Sequence, residues 1–277
     1  IVEIVRIRSN EKLLIVLSTC SGMTDRLLRM IKTAATSPEI SQGILDEIRC
    51  HHVRLASELI DGIDERAVLT SKVESLIAEL ETLRRGVSLL GECTPKSSDR
   101  AASFGEVLST TIFEAALSYR GFRSLWADAR QIVITDANFG AAKVDFARTE
   151  EKVAMLSQQF ENYDIIVTQG FIASSAGGAV TTLGRGGSDY SAAIFGALAG
   201  AAEIQIWTDV EGILTADPRI APQAVTVKQM TFDEVREMAQ FGAKVVHPDT
   251  VLPAVEKNIP VRVLNTFAPT GANTLIR

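Results

Sequence analysis

Three cysteines in 277 residues, Cys20, Cys50 and Cys93, are too few and too scattered to staple a fold. An odd set at such spacing excludes a disulfide framework and a zinc knuckle, and it points to a reducing, cytoplasmic compartment. Basic excess is missing as well. The chain has 28 Lys and Arg against 34 Asp and Glu, a formal net charge of −6. That balance argues against a general nucleic-acid or membrane-surface binder, which carries positive charge in excess. No run of roughly 18 uncharged apolar residues is present to span a bilayer as a helix. There is no secretory leader pattern, no internal repeat and no low-complexity linker. Glycine-rich signatures of two common nucleotide folds are also absent: no Gly-Lys-Ser/Thr loop and no Gly-x-Gly-x-x-Gly.

What remains is an ordinary globular composition, 46% hydrophobic and 22% charged. A chain of this length buries roughly 70–75% of its unfolded surface and needs no metal or disulfide to hold a core. Disorder is excluded by the same apolar content. Ile1, Val2, Ile4, Val5 and Ile7 have helical spacing and read as the second half of a helix. Leu13–Leu17 is a continuous apolar run that suits a strand buried on both faces. A helix is predicted over about 24–36, then two long helical patterns over 43–62 and 66–90, then another over 103–118. From there strand and helix alternate: strands at 132–134, 164–168, 203–207 and 261–264, helices near 147–160, 188–200, 231–240 and 249–257. Such alternation predicts a three-layer α/β/α fold with a mostly parallel central sheet and a helical insertion at about 37–97.

Several constellations could carry chemistry. Gln169-Gly170-Phe171 and Thr182-Leu183-Gly184-Arg185-Gly186-Gly187-Ser188-Asp189 follow a strand and run into an apolar helix. Glycines at such a junction let backbone N–H groups close on an anion at a helix N-terminus. A plain turn with Ser188 as a cap is the other reading. Trp207-Thr208-Asp209-Val210-Glu211-Gly212-Ile213 with Asp217-Pro218-Arg219 also follows a strand, where open α/β sheets bind ligands, or it is a pair of turns. Phe241-Gly242-Ala243-Lys244-Val245-Val246-His247-Pro248 places a lone Lys and His before a helix; His247 suits a cap, whereas a phosphate would give Lys244 a reason. Glu106, in Ser103-Phe104-Gly105-Glu106, is either solvated or aimed at a cation. His51 and His52 are adjacent on a helix, about 100° apart, and cannot chelate one metal well; they read as surface residues.

Taken together and in this order, these motifs resemble the catalytic domain of aspartate kinases. Ser18-x-x-Ser21-Gly22-Met23-Thr24-Asp25 is similar as well. The resemblance covers essentially all of residues 1–277. It implies the amino-acid-kinase (carbamate-kinase-like) fold, with an aspartate-side lobe over about 1–200 and a nucleotide-side lobe over about 201–277. It also implies transfer of phosphate from ATP, with Mg2+, to the side-chain carboxylate of L-aspartate, the first step toward lysine, threonine and methionine.

The roles the resemblance implies are specific. Glu106 would accept the substrate ammonium and Arg185 would clamp a carboxylate, with Thr24, Phe171 and Ser188 completing the pocket. Ser18, Gly22, Gly186, Gly187, Thr208, Asp209, Gly212, Leu214, Arg219 and Lys244 would surround the nucleotide. Asp189 and Lys244 would organise charge around the transferred phosphoryl. Position 214, usually aromatic in the family, is Leu here. The family's opening Lys-Phe-Gly-Gly-Thr-Ser loop and its C-terminal ACT-type regulatory domains, through which a homodimer or higher homo-oligomer is expected, lie outside these 277 residues. Another amino-acid kinase, such as a glutamate kinase, and a non-catalytic ligand-binding chain are the alternatives.

Overall fold

The computed structural model describes residues 1–8, 10–216, 220–221, 223–240 and 250–277. The chain folds as two units: Lys12–Ser188, and Ile1–Glu11 together with Asp189–Arg277. In chain order the elements are α1 (Val2–Ile7), β1 (Leu13–Leu17), α2 (Met23–Ala34), α3 (Pro38–Leu59), α4 (Ile63–Leu90), α5 (Pro95–Tyr119), β2 (Ser124–Ala127), α6 (Ala129–Ile132), β3 (Ile134–Thr135) and α7 (Phe146–Ser157). They continue with β4 (Ile165–Gln169), β5 (Ile172–Ser175), β6 (Val180–Thr182), α8 (Gly187–Ala199), β7 (Ile204–Thr208), β8 (Gln229–Met230), α9 (Phe232–Gln240), α10 (Leu252–Glu256), β9 (Val261–Asn265) and β10 (Thr274–Ile276). Among the described residues no helix is long and apolar enough to cross a membrane.

In the Lys12–Ser188 unit, β4 is the central strand of a parallel sheet ordered β1-β4-β2. All five β4 residues are buried, as its unbroken apolar start requires. β1 pairs with β4 from Leu13↔Ile165 to Leu17↔Gln169. It is half-buried throughout rather than buried on both faces, because it pairs on one side only. The sequence between β4 and α8, expected to be one glycine-rich loop, contains a short antiparallel pair, β5 with β6. The strand expected at 132–134 begins only at its last residue: Ile132 ends α6, which Asp128 caps by accepting the Arg130 N–H, and β3 starts at Ile134.

The helical insertion is built by α3 and α4 packed on α2 and α5. α4 buries Leu69, Val73, Ile77, Leu80, Arg84 and Val87, a run spaced by three and four that keeps one stripe inward. Arg84 stays tolerable on that stripe by donating to the Gln42 side chain and the Pro38 carbonyl. Thr94 starts α5 by accepting the Ser97 N–H, with Pro95 at the first helical position, where its missing N–H costs nothing.

The histidines require a correction. His52 is fully buried, follows Ile48 and Leu45 on the inward face of α3, and its Nδ1 lies 2.8 Å from the Ile48 carbonyl. His51 meets it edge-on, ring centroids 5.1 Å apart.

The other unit is built on the sheet β7-β9-β10-β8. β7 and β9 run parallel in register from Ile204↔Val261 to Thr208↔Asn265. Ile204, Ile206, Val235, Ala254, Val261, Val263 and Ile276 form its core. Gly196 lets α8 approach β7 closely, since a Cβ there would lie 2.5 Å from Ile204. At the strand starts Arg262 donates twice to one Glu203 oxygen, at 2.8 and 3.0 Å.

Candidate active site

Parallel pairing puts the carboxyl ends of β1, β4 and β2 on one edge of their sheet. That edge is where α/β sheets collect ligand-binding residues. From it run the Ser18–Gly22 turn after β1 and Gly170-Phe171 after β4.

Glycines bring these segments together. A Cβ on Gly170 would lie 2.8 Å from the Ser188 backbone, and one on Gly187 would lie 2.7 Å from the Phe171 ring. The N-terminus of α8 is therefore seated directly on the end of β4. Phe171 itself has φ +65°, a conformation that costs a non-glycine residue about 1–3 kcal/mol and concentrates at ligand sites. Arg185 is exposed and flanked by Gly184 (φ +78°) and Gly186 (φ +70°). The Gly187 N–H closes that turn on the Gly184 carbonyl, so a third-position residue with positive φ is needed and glycine supplies it.

Glu106 lies on α5, within hydrogen-bond reach of the Thr19 backbone in the turn after β1. It is 2% exposed, which settles whether it is solvated: it is not. Burial pushes its carboxyl up to about 8, against the opposing effect of the Thr19 backbone N–H. Its Oε2 has no hydrogen-bond partner among the described residues. Such an atom costs stability unless a ligand meets it. Gly105 clears the space for Thr19, whose Oγ1 would be 2.5 Å from a Cβ at that position. Thr24 stands half-buried in the first turn of α2 after Gly22, which caps that helix at φ +71°. Ser18 is exposed, and its carbonyl accepts from Ser109 Oγ, one turn beyond Glu106, at 2.9 Å.

Two buried groups support this region: Gln169, which opens the first motif, and Asp99, which lies in none. Gln169 accepts the Ala129 N–H and donates to Thr110 Oγ1, both at 2.8 Å, tying the end of β4 to α5 and α6. Asp99 accepts from the Gly140 and Thr182 N–H groups, each at 2.9 Å, and from Thr182 Oγ1 at 3.0 Å. Burial nevertheless raises its carboxyl. Its helical spacing to Glu106, seven residues, is the signal that puts both on one face. Thr19 gave no such signal.

In the second unit, Thr208 and Asp209 stand at the carboxyl end of β7, Thr208 Oγ1 donating to the Asp209 carboxylate at 3.1 Å. Gly212 (φ +80°) packs against Thr274, whose hydroxyl accepts the Ile213 N–H at 2.8 Å. Leu214 pairs with Thr226 in an isolated bridge. It lines a cavity of about 580 Å³ with Glu211, Thr226, Lys228 and Asn273. Asp189 lies in the first turn of α8, its carboxyl raised by burial. Asp217, Pro218, Arg219 and the Phe241–Pro248 motif with Lys244 and His247 fall outside the described residues.

The amino acid kinase family model matches residues 1–265. The chain belongs to the amino acid kinase family. Within it, the chain is 36% identical to lysine-sensitive aspartokinase 3 of Escherichia coli over 95% of its own length and 57% of that protein's. It is 38% identical to chloroplastic aspartokinase 3 of Arabidopsis thaliana, over 96% of this chain and 48% of that one. The crystal structure of E. coli aspartokinase III in complex with aspartate and ADP superposes with a TM-score of 0.90, covering 99% of this chain and 60% of that one. The α/β fold read from the sequence is thus that of the aspartate kinases, and the chain spans about half the length of these relatives.

Proposed function

We propose that this chain is the catalytic portion of an aspartate kinase, forming 4-phospho-L-aspartate from ATP and L-aspartate. The observation that carries the reading is Glu106: a buried carboxylate with an unpartnered oxygen, in a family member similar to a protein crystallised with aspartate and ADP. A substrate ammonium supplies the missing partner. Arg185, exposed on its glycine turn, presents a planar fork to a substrate carboxylate. Thr24, Phe171 and Ser188 bound the aspartate.

Thr208, Asp209, Gly212 and Leu214, with Arg219 and Lys244, hold the nucleotide; the cavity beside Leu214 suits its base and sugar in size. Ser18, Gly22, Gly186 and Gly187 offer backbone to its phosphates, and Asp189 and Lys244 order the charges there. Among the described residues no group of three acidic, His or Cys side chains is placed to hold a metal. Asp189, in the first turn of α8, is the carboxylate that would face Mg2+ carried on the nucleotide, since this ion is commonly held by one or two carboxylates plus substrate phosphates. When bound, it neutralises phosphate charge.

In the reaction an oxygen of the aspartate side chain bonds to the γ-phosphorus as the bond to the β,γ-bridging oxygen breaks, and that oxygen leaves on ADP. The carboxylate is already ionised, so no general base is required. The chain's contribution is positioning and charge neutralisation. A homo-oligomer assembled through regulatory domains belongs to the same reading.

Trapping the acyl phosphate with hydroxylamine tests this on the full-length protein. ATP-dependent hydroxamate should form with L-aspartate and not with L-glutamate. Absence of aspartate-dependent product, or preference for glutamate, would overturn the reading.

A further inference from the structure

Two buried oxygens stand unpartnered on one contact. Thr19 Oγ1 and Glu106 Oε2 both lack a hydrogen-bond partner among the described residues and are shielded from solvent. The Thr19 backbone N–H reaches the Glu106 carboxylate, and the Thr19 hydroxyl lies over Gly105, the residue before Glu106. The hydroxyl is held there by shape: any side chain at 105 would displace it, with only 2.5 Å available for a Cβ.

A hydroxyl oxygen has two acceptor lone pairs, and an ionised carboxylate oxygen accepts only. Leaving each of them unmet and shielded from solvent costs free energy that folding alone does not return. An ammonium group has three donors and no acceptor. It is the group that meets both oxygens at once without adding an acceptor of its own. A single water molecule offers two donors and carries no charge to answer Glu106.

We infer that Thr19 is a substrate-binding residue, its hydroxyl accepting a second N–H of the ammonium that Glu106 pairs with. This rests on the proposed aspartate reading and adds a residue to it. The consequence is specificity for a primary ammonium. Glu106 alone would tolerate one methyl on the nitrogen, whereas with two acceptors both remaining N–H groups are committed and the methyl is confined to a single direction.

The test is steady-state kinetics of the full-length protein with L-aspartate and N-methyl-L-aspartate, for wild type, Thr19→Val and Thr19→Ser. Valine keeps the shape and removes the acceptor; serine keeps the acceptor. Thr19→Val should raise the aspartate KM about tenfold, the scale of one charge-assisted hydrogen bond, with kcat and the ATP KM within twofold. Thr19→Ser should stay within twofold of wild type for all three. The penalty for N-methylation in kcat/KM should shrink in Thr19→Val, because losing one acceptor frees a second direction for the methyl group.

Three results would overturn the assignment: an unchanged aspartate KM in Thr19→Val, an equal rise in the ATP KM, or a loss in Thr19→Ser as large as in the valine variant. If Glu106→Gln abolishes aspartate use while Thr19→Val leaves the aspartate KM unchanged, Thr19 falls and the aspartate reading stands. If wild type shows no aspartate-dependent turnover, the reading falls and this inference falls with it.

Discussion

Gly170 and Ser188 are in backbone contact: a Cβ on Gly170 would lie 2.8 Å from Ser188 Cα and 2.9 Å from its hydroxyl oxygen. The end of β4 and the first turn of α8 therefore share one position that only glycine can fill. Because Gly187 meets Phe171 in the same way, the residues proposed to hold aspartate are located by missing side chains as much as by present ones.

Gly170→Ala should therefore destabilise the protein by about 1–3 kcal/mol, the usual cost of forcing an extra methyl into a packed site. It should also raise the aspartate KM, since Phe171 and Ser188 must part. Denaturant melts alongside kinetics check this; a variant as stable and as active as wild type would contradict the contact.

Glu106 links the site to pH. Its folded value, about 8, stands above the ordinary 4.5, so between these values the folded protein holds a proton that the unfolded chain has released. Its contribution to stability is full below pH 4.5 and is lost as pH rises through about 8. The stability difference between wild type and Glu106→Gln, measured without substrate from pH 5 to 9, should fall with rising pH. Aspartate binding near pH 7 should expel that proton, giving a calorimetric enthalpy that varies with the buffer's ionisation enthalpy. A pH-independent difference would contradict the burial of the carboxyl.

His52 acts in the opposite direction. Burial lowers it to about 4 from 6.5, so between those values the unfolded chain binds the extra proton and stability is lost as pH falls. Replacing it with leucine, of similar volume, should flatten the acid limb of a melting-temperature profile between pH 6.5 and 4. An unchanged limb would show that another group controls it.

How legible this was in the sequence depends on the kind of signal. β1 and β4 announce themselves as apolar runs, and α4 as a stripe with a three-four period. β2, β5, β6, β8 and β10 do not, being two to four residues long, too short for a period to show. His52 was misread because its polar neighbour hides its place on the Leu45–Ile48 stripe. Glu106, Phe171, Arg185 and Ser188 could be grouped through ordered motifs, and all four lie in the Lys12–Ser188 unit. Thr19 could not, since only three-dimensional packing on Gly105 distinguishes it from any threonine after a strand.

Leu214 offers a graded test of the nucleotide side. Leu214→Tyr places an aromatic ring on the 580 Å³ cavity, and stacking on a base adds about 0.5–1.5 kcal/mol beyond buried area. The ATP KM should fall by up to roughly tenfold, with the aspartate KM unchanged. An unaltered ATP KM would mean that position 214 does not face the base.

The claim that the side-chain carboxylate of aspartate attacks ATP is tested most directly by isotope transfer. L-Aspartate labelled with 18O in its side-chain carboxylate is incubated with ATP and the full-length protein, the product is trapped with hydroxylamine, and the released phosphate is examined by mass spectrometry. Hydroxylamine breaks the bond between carbonyl carbon and bridging oxygen, so each phosphate released should carry one 18O from the substrate. Phosphate without 18O, formed at the same rate as ADP, would mean that water rather than aspartate receives the phosphoryl group.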